Sequence, residues 1–293
     1  MRLALVVNPA SGRRRAPAIA DRVAGRLARA GHNIQLIEGS DGPSALRLLR
    51  QAIDTGVDGV VVVGGDGAVH DVLDLVAGTE LVLGLVPAGT GNDTARALGI
   101  PTKDVDGAID VLLAGHVRTI DLARTGTTDV VTVIASGFDS KVNERANDMT
   151  WPRGNMRYNL AIVAELRAFE PLEFTLTLDG STIQREAMLV AVGNGPSFGG
   201  GLRICEGAVI DDGLLDVVVI NPVSKGKLLR VFPQLYRGTH VRLPEFERHL
   251  VREVTLSSPG IVAYGDGERL GPLPLTTTVR PGALHVLVPR PPA

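Results

Sequence analysis

The chain has 293 residues, of which 44% are hydrophobic and 21% are charged, and its formal net charge is −2. This composition excludes disordered, collagen-like and coiled-coil chains. At roughly 150 residues per domain, the length predicts about two domains. A net charge this close to zero provides no basic field, so we expect no nucleic-acid partner.

The cysteine count and the hydropathy of the sequence indicate where in the cell the protein is found. The single cysteine, Cys205, cannot form an internal disulfide, which fits a reducing environment. No apolar run approaches the roughly 18 residues of a membrane helix, and the apolar start is too short for a signal peptide. We therefore expect a soluble, cytoplasmic protein. Peripheral contact with the inner face of the membrane stays open, and the sequence gives no indication of oligomeric state.

The first ~120 residues alternate short apolar runs with helical patterns. Alternation of near-continuous apolar strands with helices predicts a parallel sheet that is covered on both faces. The predicted strands are 2–7, 34–37, 59–63 and 81–86, and the predicted helices are 17–30, 43–53, 105–113 and one that follows Gly67.

Short strand-like runs dominate after about Asp121, and Asp179-Gly180 between two of them predicts a hairpin. The predicted fold class is α/β, with an N-terminal Rossmann-like parallel-sheet domain and a C-terminal, mainly antiparallel β-sandwich domain. We place the first domain at 1–122, with a segment of about 276–293 that could return to it, and the sandwich at 123–275. The predicted runs are 130–135, 174–178, 187–192, 214–220, 251–256, 261–264 and 283–288, interrupted by helices at 155–169 and 225–236.

Three glycine-rich loops follow strands of the first domain, at the edge where open α/β sheets bind ligands. Glycine lets backbone N–H groups approach phosphate oxygens, and the following helix start adds a favourable dipole. One such loop is a weak signal, since glycine also serves tight turns, but three on one sheet favour a phosphate site. The candidate residues are Asn8, Pro9, Ala10, Ser11 and Gly12; Gly64, Gly65, Asp66 and Gly67; and Thr90, Asn92 and Asp93.

Two of these loops carry a carboxylate, Asp66 and Asp93. A bare carboxylate repels phosphate, so the pair indicates phosphate chemistry that is linked to a metal ion. Asn92 and Asp93 have a second interpretation, in which their side chains order the loop through turn hydrogen bonds and do not touch a ligand.

Several motifs occur in a fixed order along nearly the whole chain. They are NPxSG at 8–12, GGDG at 64–67, PxGTxND within 87–100, NGxxxGGG at 194–201, DGLLDV at 212–217 and DGE at 266–268. In this ordered set the sequence resembles the diacylglycerol kinase catalytic-domain family, in particular the bacterial lipid kinases related to sphingosine kinases. The GGDG motif alone is weak, because phosphofructokinases and NAD kinases share it. One departure is Ala68, where the family usually has threonine.

The resemblance implies a lipid kinase that transfers the γ-phosphoryl group of ATP to a lipid hydroxyl, with diacylglycerol as the leading substrate. It implies ATP and Mg²⁺ as cofactors and a membrane lipid as partner, with ATP on the first domain and the lipid facing the sandwich. Two alternatives stay open: an NAD kinase-like phosphotransferase, and a nucleotide-binding regulator without catalysis. The apolar side of the 155–169 helix either docks on lipid or packs on the sandwich.

Three carboxylates are the catalytic candidates: Asp266, Glu268 and Asp66. A lipid hydroxyl is barely acidic, so transfer is helped by a carboxylate that accepts its proton. If the DGE segment is extended, Asp266 and Glu268 point to the same side, and one serves as base while the other orients it or holds metal. The sequence does not decide between them, and Asp66 is the next candidate.

A structural Mg²⁺ site is expected at the DDG turn of residues 211–213. The resemblance implies that the cation is held by the Asp212 side chain and by the backbone carbonyls of Val209 and Leu214. The alternative is a hairpin turn whose acidic side chains are simply solvated.

Overall fold

The structure is a computed structural model that describes residues 1–7, 16–39, 41–137 and 170–291. Two sheets organise this part of the chain: a ten-stranded mixed sheet and a six-stranded antiparallel sheet. The predicted fold class is confirmed. No helix within these ranges is long and apolar enough to cross a bilayer.

The bounds of the elements are as follows. The strands are β1 (Arg2–Val7), β2 (Asn33–Ile37), β3 (Gly59–Gly64), β4 (Val82–Pro87), β5 (Val117–Thr125), β6 (Thr128–Val130), β7 (Val133–Gly137), β8 (Leu172–Leu178), β9 (Ser181–Ala187), β10 (Leu189–Gly193), β11 (Leu215–Ile220), β12 (Phe246–Val251), β13 (Glu253–Ser257), β14 (Val262–Gly265), β15 (Glu268–Pro272) and β16 (Leu275–Leu287). The helices are α1 (Ala16–Arg29), α2 (Gly42–Asp54), α3 (Asp66–Val76), α4 (Asp93–Ala97), α5 (Val105–Ala114) and α6 (Lys225–Leu235), and a 3₁₀ helix follows at Thr239–Arg242.

The N-terminal half has a parallel sheet in the order β2-β1-β3-β4, and all four strands lie within two residues of their predicted positions. Every residue of β3 is buried, because helices cover both faces of the sheet. Helix α1 buries Ala16, Ala20, Val23 and Leu27, a stripe with helical spacing. The carboxyl ends of β3 and β4 therefore lie side by side, where Gly64 pairs with Pro87.

One long strand, β16, joins the two halves of the molecule. Its first part pairs antiparallel with β13, and its last part pairs parallel with β4, where His285 lies opposite Val82. Strand β5 pairs antiparallel with β16 along most of its length, and the register shifts between Arg280 and Leu284 of β16. The parallel sheet thus continues through β16 into one layer of the sandwich. The sequence predicted only the end of this strand, at 283–288.

Three predicted runs each begin on the last residue of one strand and continue into the next strand. The run 130–135 breaks at Val131 and Thr132, whose N–H groups donate to the Asp266 carboxylate. The run 251–256 breaks at Arg252, whose N–H donates to Asp179, and the run 187–192 breaks at Met188. A continuous apolar run does not show at which residues the backbone N–H groups stop bonding to a neighbouring strand and bond to a side chain. Strands β5 and β15 and helix α4 were not predicted, and strands β6, β9 and β12 were predicted only at their last residues.

The central strands of the six-stranded sheet, β7, β10 and β11, are buried on both faces. Along β10, Val190 and Val192 face the core between the two sheets, while Leu189 and Ala191 face a second cluster that contains Ile204 and Cys205. Leu235 of α6 packs against this second cluster. Chain segments outside the sheet therefore cover its outer face.

Candidate active site

Two of the three predicted loops meet at the carboxyl edge of the parallel sheet. A Cβ on Gly89 would lie 2.5 Å from the Gly65 Cα, and a Cβ on Gly65 would lie 2.9 Å from the Gly89 Cα. Only glycine allows the two backbones to approach this closely. The first loop, with Asn8, Pro9, Ala10, Ser11 and Gly12, lies outside the described residues.

Helix α3 begins directly after this contact and points its N-terminus into the site. Its N-cap residue is Gly65, which has no side chain to cap the first turn. The first N–H groups of an α-helix lack partners within the helix and carry a partial positive charge. The backbone of Asp66 and Gly67 therefore offers donors to an anion.

Asn92 orders the third loop. Its backbone is left-handed, with φ 55°, its Oδ1 accepts from the Gly89 N–H at 3.0 Å, and its Nδ2 donates to the Gly89 carbonyl at 3.0 Å. Both ends of the amide are engaged, and the side chain is buried. Of the two roles open for Asn92, the geometry matches loop ordering. Thr90 in the same loop is exposed.

Asp66 and Asp93 converge around Gly91. A Cβ on Gly91 would lie 2.9 Å from Asp66 Oδ2 and 3.4 Å from Asp93 Oδ2. Asp66 Oδ1 accepts from the Thr94 N–H at 3.0 Å. Burial raises the pKa of Asp93, and the nearby charge of Asp66 reinforces this shift. Two carboxylates this close repel each other, and a hard cation is the group that relieves such repulsion.

The second half of the chain closes over Asp93. The Gly200 N–H donates to Asp93 Oδ2 at 2.6 Å and opposes the rise in its pKa. The Ser197 hydroxyl lies 3.4 Å from Asp93 Oδ1. The sequence had marked this glycine-rich loop as a motif but had not connected it to Asp93, which is 107 positions away.

The expectation of an extended DGE segment is wrong. Asp266 and Gly267 have φ angles of 51° and 91°, and they form the turn of a hairpin in which Gly265 pairs with Glu268. The side chains of Asp266 and Glu268 consequently have different surroundings. An Asp-Gly pair between two strands is itself the signal for such a turn.

The Asp266 carboxylate is fixed by the neighbouring strands. It accepts from the N–H groups of Val131 at 2.6 Å and Thr132 at 2.9 Å, and from the Thr132 hydroxyl at 2.5 Å. Burial raises the pKa of Asp266, while these three donors lower it. Thr132 was missed by the sequence analysis, because nothing local marks a residue whose partner lies 134 positions away.

Glu268 faces the other half of the molecule. It is exposed, and its Oε1 lies 3.4 Å from the position of a Cβ on Gly67. Within the described ranges the Glu268 carboxylate has no hydrogen-bond or ion-pair partner. A carboxylate without a partner therefore lies beside the first turn of α3, close to the free backbone N–H groups of the GGDG loop.

The two aspartates of the DDG turn, Asp211 and Asp212, have different partners. Asp211 forms a bidentate pair with Arg118, with both N–O distances at 2.7 Å, and this pair lowers the pKa of Asp211. Asp212 is exposed and accepts from the Leu214 N–H at 3.0 Å. Among the described residues no group of three or more His, Cys, Asp or Glu could hold a metal. A cation here would need backbone carbonyls such as those of Val209 and Leu214.

A buried carboxylate that the sequence did not mark ties this turn to the sheet. Asp121 accepts from the N–H groups of Gly213 and Gly282, each at 2.7 Å. Asn194 donates to the Asp121 carbonyl at 2.8 Å and to the Val131 carbonyl at 2.9 Å. These bonds position the DDG turn relative to Val131, whose N–H donates to Asp266.

Comparison with known proteins agrees with this arrangement. The family model for the diacylglycerol kinase catalytic domain matches residues 2–125, and the model for the YegS C-terminal NAD kinase beta sandwich-like domain matches residues 132–288. A diacylglycerol kinase of Mycobacterium tuberculosis (strain ATCC 25618 / H37Rv) is 44% identical over 97% of this chain and 94% of its own length. A probable lipid kinase YegS-like of Stenotrophomonas maltophilia (strain K279a) is 33% identical over 78% of this chain and 81% of its own length.

Solved structures share the fold. A diacylglycerol kinase from Bacillus anthracis str. Sterne superposes with a TM-score of 0.73 at 21% identity, over 98% of this chain and 97% of that chain. Another solved chain from the same organism gives a TM-score of 0.81 at 22% identity, over 98% of this chain and 95% of that chain.

The chain belongs to the diacylglycerol kinase family that includes the YegS-like lipid kinases, and it is a lipid kinase.

Proposed function

We propose that the protein transfers the γ-phosphoryl group of ATP to the hydroxyl of a diacylglycerol-like membrane lipid, with Mg²⁺ as the cation. The observation that carries the proposal is the position of Glu268, an exposed carboxylate 3.4 Å from a Cβ position on Gly67. Relatives that are named diacylglycerol kinase support the choice of lipid. The alternative of an NAD kinase-like enzyme is supported only by the description of the sandwich-domain family model.

The two DGE carboxylates divide the work of proton transfer. Glu268 is the base, because its carboxylate is unengaged within the described residues and faces the phosphate-binding loops. It accepts the proton of the lipid hydroxyl as the oxygen forms its bond to phosphorus. Asp266 is a positioning residue, since three donors from Val131 and Thr132 already occupy its oxygens. Asp266 thereby holds the turn that places Glu268.

The glycine surface of the two loops fits a phosphate chain. Gly65, Gly67, Gly89 and Gly91 leave the space that side chains would fill, and the start of α3 supplies N–H donors. ATP supplies the phosphoryl group when it is bound. On this chain, Gly65 and Gly67 orient phosphate oxygens, and Thr90 supplies a hydroxyl from the loop rim.

The carboxylates fit magnesium, which prefers oxygen ligands. Asp66 and Asp93 would hold a cation at the phosphates, where it neutralises charge during transfer. A second, structural cation would be held by the Asp212 side chain with the carbonyls of Val209 and Leu214. In an Asp212→Asn variant, Mg²⁺ should raise the melting temperature less than it does in the wild type. An unchanged Mg²⁺ response would contradict the second site.

The reaction is tested with labelled ATP on mixed micelles that contain a total lipid extract, with the labelled product identified by mass. We expect labelled phosphatidic acid. Labelled NADP in a parallel assay with NAD would favour the NAD kinase alternative. Nucleotide binding without any labelled product would favour a regulator.

The base is tested by Glu268→Gln, with Glu80→Gln as a control at an exposed glutamate away from the site. Because a glutamine cannot accept the proton, turnover should fall on the order of 10²–10⁴-fold with ATP affinity and melting temperature nearly unchanged. Asp266→Asn should instead lower the melting temperature as well as turnover. If Glu268→Gln keeps more than about a tenth of wild-type turnover, well short of that loss, the base lies elsewhere.

A further inference from the structure

The NGxxxGGG motif at 194–201 contacts the active site near both of its ends. Close to its last residue, the Gly200 N–H donates to Asp93 Oδ2 at 2.6 Å. Its first two residues, Asn194 and Gly195, instead bond to the short connection between strands β6 and β7. The motif therefore links Asp93, at the edge of the parallel sheet, to the sandwich half of the molecule.

The connection between β6 and β7 consists of Val131 and Thr132, and all four of its backbone polar groups have partners. Both N–H groups donate to the Asp266 carboxylate, at 2.6 and 2.9 Å. The Val131 carbonyl accepts from Asn194 Nδ2 at 2.9 Å. The Thr132 carbonyl accepts from the N–H groups of Asn194 and Gly195, each at 2.8 Å. Because buried backbone groups are costly to leave unpaired, these bonds hold the connection in one place.

Gly195 brings this connection close to the first half of the molecule. A Cβ on Gly195 would lie 3.3 Å from the Thr132 Cα and 3.7 Å from the Ala97 Cβ. Ala97 is the last residue of α4, the helix that begins at Asp93. Gly195 thus contacts both Thr132 and α4, and it has no side chain to hold them apart. The position of Thr132 is therefore fixed relative to the helix that carries Asp93.

Thr132 adds its side chain to these backbone contacts. Its hydroxyl donates to Asp266 Oδ1 at 2.5 Å, and the residue is 1% exposed. The backbone of Asp266 is left-handed, with φ 51°, and Glu268 follows two residues later as the first residue of β15. Few residues other than glycine adopt this conformation, so the bonds to its carboxylate help to hold Asp266 in it. The Thr132 hydroxyl thus acts on the turn from which Glu268 emerges.

We propose that Thr132 is a positioning residue for phosphoryl transfer, whose hydroxyl fixes the Asp266 carboxylate and thereby the place of Glu268 beside the phosphate-binding loops. The inference rests on the proposed function, in which Glu268 accepts the proton of the lipid hydroxyl. Thr132 acts on the rate through Asp266 and Glu268, by keeping the base close to the start of α3. A displacement of about 1 Å in a reacting group can lower a rate by roughly two orders of magnitude.

The test is Thr132→Val, which keeps the shape of the side chain and the backbone N–H but removes the hydroxyl. Turnover per folded molecule should fall roughly 10- to 100-fold, with the KM for ATP nearly unchanged. Thr132→Ser keeps the hydroxyl and should retain the turnover of the wild type. The matched control is Thr125→Val, which removes a buried hydroxyl that donates to the Thr276 carbonyl at 2.8 Å. Both valine variants should lose a few degrees of melting temperature, but only Thr132→Val should lose turnover.

A double-mutant cycle separates the role of Thr132 from the proposed function. Turnover is measured as total label transferred from ATP to the lipid extract, so the result does not depend on which lipid is the substrate. If Thr132 acts through Glu268, Thr132→Val should leave the remaining turnover of Glu268→Gln unchanged while it still lowers the melting temperature. Equal fold losses of turnover in both backgrounds, or wild-type turnover in Thr132→Val, would overturn the positioning role. Wild-type turnover in Glu268→Gln would instead overturn the proposed base, on which that role depends.

Discussion

The carboxylates of the cleft and those of a second group, which consists of the buried Asp129 with two arginines, differ in what surrounds their charge. In the cleft, Asp66, Asp93 and Asp266 are held mainly by backbone N–H groups. Within the described ranges, the guanidinium that forms an ion pair with one of them is that of Arg96, whose Nε lies 3.8 Å from Asp93. Backbone donors fix a carboxylate in place without supplying a full opposite charge.

The other group is a closed ion cluster. Asp129 is 1% exposed and lies between the guanidinium groups of Arg124 at 2.8 Å and Arg280 at 2.5 Å. These residues come from β6, β5 and β16, so the cluster ties three strands together. Burial raises the pKa of Asp129, and the two arginines oppose that shift.

The difference indicates which group does chemistry. We propose that the cleft carboxylates act in phosphoryl transfer, because a cation or a proton can still neutralise their negative charge. The charge of Asp129 is already neutralised within the fold, so its contribution is to structure. A substitution of Asp66 or Asp93 should therefore affect mainly turnover, one of Asp266 should affect both turnover and stability, and one of Asp129 should affect mainly stability.

The largest effect is expected for Asp66→Ala. Loss of a charge at the phosphate site should lower turnover by roughly 10³-fold. The Thr94 N–H loses one acceptor, a cost of about 1 kcal/mol, so the melting temperature should fall by only a few degrees. The variant is compared with the wild type in turnover, in nucleotide affinity and in melting temperature.

A matched control for this prediction is Asp74→Ala, an exposed aspartate on the same helix, which should leave turnover unchanged. Wild-type nucleotide binding and turnover in Asp66→Ala would contradict the assignment of the cleft as the active site.

The sequence predicted those structural features that depend only on residues close together in the chain. The apolar run of β1 was predicted at its observed bounds, because a strand buried on both faces needs no distant information. The hairpin at Asp179-Gly180 was also predicted, and both residues have positive φ angles of 44° and 86°. Asp266-Gly267 carries the same signal, so the second turn was predictable from the sequence as well.

What could not be predicted depends on contacts between distant residues. The partner of Asp93 is the Gly200 N–H, 107 positions away, and the partner of Asp129 is Arg280, 151 positions away. In the sequence, Asp93 and Asp129 are both simply acidic residues, and nothing next to them distinguishes their partners. Only the fold shows which of them meets a guanidinium and which meets backbone donors.

A smaller effect, and one on stability, is expected for Asp129→Ala. Removing the carboxylate leaves two like charges facing each other, which should lower the free energy of unfolding by about 2 to 3 kcal/mol. The estimate is at the low end for such clusters because Arg124 and Arg280 are each about a third exposed. Denaturant unfolding measures the loss, and turnover per folded molecule should match the wild type. A loss of turnover without a loss of stability would mean that Asp129 belongs to the catalytic group.

The smallest effect concerns a buried base outside both groups, His240. Its Nε2 lies 3.1 Å from the Ile204 carbonyl, and its ring packs edge-on against Phe246 at 5.3 Å. Burial lowers the pKa of His240 below its ordinary value of 6.5, although the Ile204 carbonyl and the charge of Glu206 oppose the shift. The unfolded chain then binds this proton before the native protein does. The stabilising contribution is therefore present above pH 6.5 and is lost as the pH falls through the folded-state pKa. We expect the difference in melting temperature between the wild type and His240→Gln to narrow between neutral pH and pH 5, with both proteins measured in the same buffers. A difference that stays constant over this range would show that His240 takes up its proton equally in both states, and that its burial places no cost on the charged ring.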